Sequence, residues 1–150
     1  MKKLVPLTLL AVALASAALA HEGHDHATGV VKERMITMTS LGEHLLTISK
    51  RLRANKDLDK IAEDARVIQR LAGTIAKQFP PGSTQSPTAA KPAIWQEWAT
   101  FQSNAKKLEA EADKLVTTNV GDRDGLRAQF RAVAYACDGC HETFRVPNKK

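Results

Sequence analysis

The stretch Arg123-Asp124-Gly125-Leu126-Arg127-Ala128-Gln129-Phe130-Arg131-Ala132-Val133-Ala134-Tyr135-Ala136-Cys137-Asp138-Gly139-Cys140-His141-Glu142-Thr143-Phe144-Arg145 carries two patterns at once. Leu126, Phe130, Val133, Cys137, Cys140 and Phe144 recur at steps of four and three, the spacing of a helix face packed against other helices. Within that face lies Cys-x-x-Cys-His. Its two thiols suit thioether links to the vinyl groups of a porphyrin, and the adjacent imidazole suits the iron. The segment therefore reads as a helix that suspends one covalent haem c from its inner side through Cys137 and Cys140, with His141 as an iron ligand.

The same cysteines admit other chemistry. They are the only two in the chain, so an oxidising compartment could join them in a disulfide. Such a bridge closes a very small loop and restrains the unfolded chain little. A redox disulfide belongs in a strand-to-helix setting, and no strand pattern is present. Zinc would need a fourth ligand beyond two Cys and one His.

Three more segments repeat the bundle spacing. The first runs Val31, Met35, Met38, Gly42, Leu45, Ser49 and Leu52, widened by Leu41, Leu46 and Ile48; the second runs Ile61, Ala65, Ile68, Ala72, Ile75 and Phe79. The third runs Ile94, Trp98, Phe101, Ala105, Leu108, Ala112 and Leu115. Asn55 is the expected N-cap of the second helix and Asp122 of the fourth, Pro92 fits a first helical turn, and Pro147 ends the last helix. Three prolines and a glycine keep residues 80–87 out of helix. Short first and third links make neighbouring helices antiparallel. The expected fold is all-α, an up-down-up-down antiparallel four-helix bundle enclosing a covalently attached haem.

Lys2 and Lys3, the apolar stretch from Leu4 to Leu14, and Ala18-Leu19-Ala20 form an export signal with its cleavage site. The expected organisation is a signal peptide at 1–20, a His-rich leader at 21–28, the haem-binding bundle at 29–147 and a tail at 148–150. The apolar run is short for a membrane span, so the expected product is exported to a periplasm without stable membrane insertion. The formal net charge of +6 includes the two signal lysines. Basic and acidic residues interleave along the helices, which argues against nucleic-acid binding. His21, His24 and His26 could bind copper or zinc weakly, or serve only as a leader. His44, off the inward seam, is expected at the surface.

The chain resembles the class II c-type cytochromes, the cytochrome c′ and cytochrome c-556 family. The resemblance lies in Cys137-Asp138-Gly139-Cys140-His141-Glu142-Thr143-Phe144-Arg145, in Arg34-Met35-Ile36-Thr37-Met38-Thr39-Ser40-Leu41-Gly42 and in Lys91-Pro92-Ala93-Ile94-Trp95. It implies a four-helix bundle with haem on its last helix and a distal residue four positions after the helix-one arginine, here Met38. In cytochrome c′ members that place holds a non-ligating residue and the iron stays open to NO and CO; in cytochrome c-556 members it holds a methionine that ligates. The resemblance thus implies a low-spin site with His141 and Met38 as metal ligands, Met35 being the competing thioether one turn away. Thioether ligation raises the reduction potential and suits electron transfer, and Gly42 removes a side chain where the macrocycle could approach. The resemblance also places Arg34 near a haem propionate, the alternative being a solvated helix charge, and Arg145 near the proximal imidazole. Expected partners are periplasmic or membrane-associated redox proteins, with the chain a monomer or homodimer. No catalytic constellation is legible. The rival function is a five-coordinate gas-binding protein of the cytochrome c′ type.

Overall fold

A computed structural model describes residues 26–147; the export signal, His21, His24 and the tail lie outside the described residues. Five α-helices form: α1 (Gly29–Ala54), α2 (Ile61–Ala72), α3 (Ala93–Gln96), α4 (Trp98–Thr117) and α5 (Arg123–Phe144). Short 3-10 turns at Leu58–Lys60 and Ile75–Gln78 flank α2, and no β-strand forms among the described residues. The third stave of the bundle is split. Glu97, at φ −115° and ψ 43°, breaks the helical path between α3 and α4.

Cross-links between helices show their directions. Thr37 meets Gln78 and His44 meets Asp64, so numbers rise along α1 as they fall along α2. Gln69 meets Asp113 while Gly73 lies beside Glu109, which reverses α4 against α2. Gln129 meets Glu111 and Phe101 meets Phe144, which reverses α5 against α4. The result is the expected up-down-up-down four-helix bundle.

Helix ends follow local chemistry. The Asp122 carboxylate accepts from the Gly125 N–H at 2.9 Å, the expected N-cap. Gly125 is required there, because a Cβ would fall on that carboxylate. Asn55 does not cap the second helix. It closes α1 in the left-handed conformation, φ 51°, a place where asparagine is tolerated. The last helix ends at Phe144, three residues before Pro147, with Arg145 already extended.

Every position of the second seam, Ile61, Ala65, Ile68, Ala72, Ile75 and Phe79, is buried. The third seam is buried throughout except half-buried Trp98. Helix one differs. Its buried face is Val31, Arg34, Thr37, Leu41, Ile48 and Leu52, turned by about one residue, roughly 100°, from the expected seam. Met35, Met38, Leu45 and Ser49 are half-buried and Gly42 is exposed. The reason is the neighbour each face meets. Thr37, His44 and Arg51 bond toward α2 or its flanking turns, which leaves Met35, Met38, Gly42 and Leu45 on the side away from α2. On α5, Gln129 bonds to α4, so Phe130, Ala134, Cys137 and His141 lie on the side away from α4. These two faces border the α1–α5 side of the bundle, where the helices touch far less than the other neighbouring long helices do.

Candidate functional site

The last two turns of α5 set out the haem-attachment motif. Cys137, Cys140 and His141 are each half-buried, and both cysteines pack against the core while remaining free thiols. Burial, then the negative charge of Asp138 and the neighbouring thiol, push Cys137 up to about 11, and burial raises Cys140 as well. Thiols held protonated at neutral pH are poor partners for disulfide exchange, which needs thiolate. Among the described residues no group of three or more His, Cys, Asp or Glu side chains converges as a metal cage. The zinc and redox-dithiol readings therefore lack their supporting geometry. A thioether, neutral and apolar, suits this half-buried setting.

Burial lowers the pKa of His141, and the positive charge of Arg145 lowers it further against a smaller opposing effect of Asp138. Both leading causes favour the neutral imidazole, the form that ligates iron. Arg145 is also the C-cap residue of α5, its N–H donating to the His141 carbonyl.

Arg34 is the most constrained residue of the site. It is only 4% exposed, so the solvated-charge alternative does not hold. Its Nη2 donates to the Ser83 carbonyl at 2.8 Å and its guanidinium carbon lies 4.3 Å from the Phe79 ring centroid. Nε and Nη1 are buried with no hydrogen-bond partner. Burial lowers the pKa of the guanidinium, yet an arginine stays charged in a protein. A buried cation with two unanswered donors calls for a carboxylate or comparable anion, and the described chain places none on those two nitrogens. A haem propionate answers that demand. The residues present fit the cofactor on three independent counts: buried protonated thiols, a neutral-leaning imidazole and an unneutralised buried cation.

Met38 can be placed along the bundle axis. Arg34 packs on Phe79, Phe79 on Phe101 at 4.9 Å, and Phe101 on Phe144 at 5.4 Å between centroids. That chain of contacts links the Arg34 end of α1 to the Phe144 end of α5. Met38 is one turn beyond Arg34 on α1, and Cys140 and His141 are one turn before Phe144 on antiparallel α5. A turn is about 5.4 Å, so from that contact chain Met38 and the Cys140–His141 turn both lie about one turn toward the middle of the bundle. Met35 sits higher, beside Arg34.

Several residues of the site carry no sequence signal. Thr37, Ser83 and Asp64 are buried polar residues, and Gln78 Nε2 donates to Thr37 Oγ1 at 2.8 Å. Thr37 and Ser83 find their partners through residues 78–91, whose path no periodicity reveals, while Asp64 on α2 pairs with residues of α1. His44 is also not at the surface. It is half-buried, its Nδ1 lies 2.8 Å from Asp64 Oδ1, and Arg51 pairs with the other carboxylate oxygen, which together pin α1 to α2.

Comparison with known proteins shows relatives with the same fold. A cytochrome c-556 of Agrobacterium tumefaciens (strain II Chrys) is 34% identical over 120 residues, which span 79% of this chain and 98% of that protein. A cytochrome c′ structure from Thermochromatium tepidum superposes with a TM-score of 0.73 at 21% identity, covering 79% of this chain and 95% of that one, a likeness of fold. A nitric oxide complex of a variant cytochrome c′ from Alcaligenes xylosoxidans has a TM-score of 0.70 at 26% identity, covering 79% of this chain and 94% of that one. Residues 29–145 match the family described as Cytochrome C′, and the chain belongs to it. It is a haem-binding protein of the electron-carrying or gas-binding kind, with covalent haem c and Cys137 and Cys140 as its only thiols.

Proposed function

We propose that this protein is an exported, periplasmic electron carrier whose single haem is held by Cys137 and Cys140, with His141 and Met38 on opposite faces of the iron. What supports this reading is the Cys137-x-x-Cys140-His141 motif, half-buried on α5, together with half-buried Met38 on the face of α1 turned away from α2, the two helices bordering the sparsely packed α1–α5 side. The bound haem supplies the one-electron couple. The chain does the rest. The buried thiols keep the attachment neutral, Arg145 and burial keep the proximal imidazole deprotonated, and Arg34 offers two donors to a propionate. A neutral thioether at Met38 favours the ferrous state relative to a more basic ligand and leaves no open coordination place. Residues 1–20 direct export and residues 21–28 form the leader, 29–147 the haem-binding bundle and 148–150 a tail. No helix among the described residues is long and apolar enough to cross a membrane. The reading assigns no catalytic residue, and the partners it implies are other redox proteins of the same compartment.

A second reading has its own support: the relative from Alcaligenes xylosoxidans is described as a nitric oxide complex, and Met38 is only half-buried here. One spectroscopic comparison separates the two. The electron-carrier reading expects a six-coordinate low-spin ferric spectrum, lost in Met38→Ala and kept in Met35→Ala, with weak CO binding by the reduced wild type. A high-spin wild-type spectrum with tight CO binding establishes the gas-binding reading instead.

A further inference from the structure

Residues 78–91 connect the end of the second stave to α3, and several of their bonds reach α1 and the end of α5, which they do not connect. On α1, Gln78 Nε2 donates to Thr37 Oγ1 at 2.8 Å, Arg34 Nη2 donates to the Ser83 carbonyl at 2.8 Å, and Phe79 lies under the guanidinium. At the end of α5 the Lys91 N–H donates to the Phe144 carbonyl at 2.9 Å, and just past it the Val146 N–H donates to the Ala89 carbonyl at 2.8 Å. Lys91 Nζ adds a bond to the Glu142 carbonyl at 3.0 Å. The link is stapled to the bundle end by the Trp95 indole, whose N–H reaches the Phe79 and Pro80 carbonyls at 3.1 Å each.

The grip on α1 falls within one turn before Met38, and the grip on α5 falls within about one turn after His141. Direct contact between α1 and α5 is sparse. The link is therefore a principal protein connection between the two ligand-bearing turns. We propose that residues 78–91 act as a strap that fixes the separation of α1 and α5 and so sets how readily a small gas displaces the Met38 thioether. The inference rests on Met38 being the distal ligand. Displacement requires the Met38 side chain to leave its place, and a held α1 turn resists that movement while a released one permits it.

The test uses the haem-loaded protein. Inserting two glycines between Gln85 and Ser86 retains the partners of both grips and lengthens only the piece between them, at a small loop-closure cost. Val146→Pro removes the donor to Ala89 instead; Arg145 is already extended at φ −115° and ψ 136°, as a residue before proline should be. CO affinity of the ferrous protein is measured by titration and the ferric spin state by absorption. Each variant is expected to bind CO roughly fivefold or more tightly, the scale of a typical coupling between sites. Asp122→Ala, a stability loss at the other end of α5, is expected to leave CO affinity unchanged. The strap is overturned if both strap variants match wild type in CO affinity while Met38→Ala binds more tightly. Wild-type protein that binds CO as tightly as Met38→Ala overturns the Met38 reading, and the strap with it, by a different signature.

Discussion

The α2–α4 and α1–α5 sides of this bundle are built to different standards of completeness. Between α2 and α4, the long helices with the most extensive contact, Ala65, Ala72, Ala105 and Ala112 are buried and let the backbones approach closely. Along the α1–α5 side the bordering residues, Met35, Met38, Leu45, Phe130, Cys137 and His141, are all half-buried, and next to them a buried arginine keeps two donors unanswered. One side is finished by side chains. The other is less completely packed, and beside it lies a buried cation whose donors call for an anion. Incomplete packing at one face of an otherwise dense core is thus a cofactor signal that can be read without the cofactor.

The most severe way to break that contrast is to prevent attachment. Cys137→Ala with Cys140→Ala is expected to give a colourless protein without a cooperative thermal transition, a loss on the order of the whole 5–15 kcal/mol available to a domain. Hydrogen exchange should show α1 amides losing protection first and α2 and α4 amides last. A cooperative fold with α1 protected as well as α2 contradicts the contrast. An intermediate effect is expected on the dense side. Ala65→Leu overfills the α2–α4 contact and should cost about 1–3 kcal/mol, measured by denaturant unfolding, while leaving the haem spectrum at wild type. The smallest effect lies outside both regions: Asp122→Ala removes the α5 cap for about 1 kcal/mol, a drop of roughly 4 °C in Tm, with no optical change.

Legibility in the sequence followed the same division. The second and third seams matched the buried faces because those helices meet only other helices, and period alone decides which side goes in. Helix one was harder. Its periodic residues Met35, Met38, Gly42 and Leu45 are real as a stripe, but they lie on the side away from α2, while Arg34 and Thr37 share the protein-facing side. A helix bordering both core and cofactor has two inward faces, and hydrophobicity marks the cofactor side while polar residues occur in the core. The motif Cys137-Asp138-Gly139-Cys140-His141 was fully legible because attachment chemistry fixes its spacing locally. The burial of Arg34, the His44–Asp64–Arg51 cluster and the cap role of Asn55 were not. Each depends on backbone groups or helices remote in sequence, such as the Ser83 carbonyl that receives Arg34.

The shielding of Cys137 and Cys140 against the core has a bearing on biogenesis. In the closed bundle burial raises the pKa of these sulfurs and partly covers them, which is a poor condition for a bulky macrocycle to reach them. Attachment of haem c is therefore expected to precede docking of the terminal helix. Completion of the bundle is then the last stage of manufacture, with the pigment serving as the template around which the final stave closes.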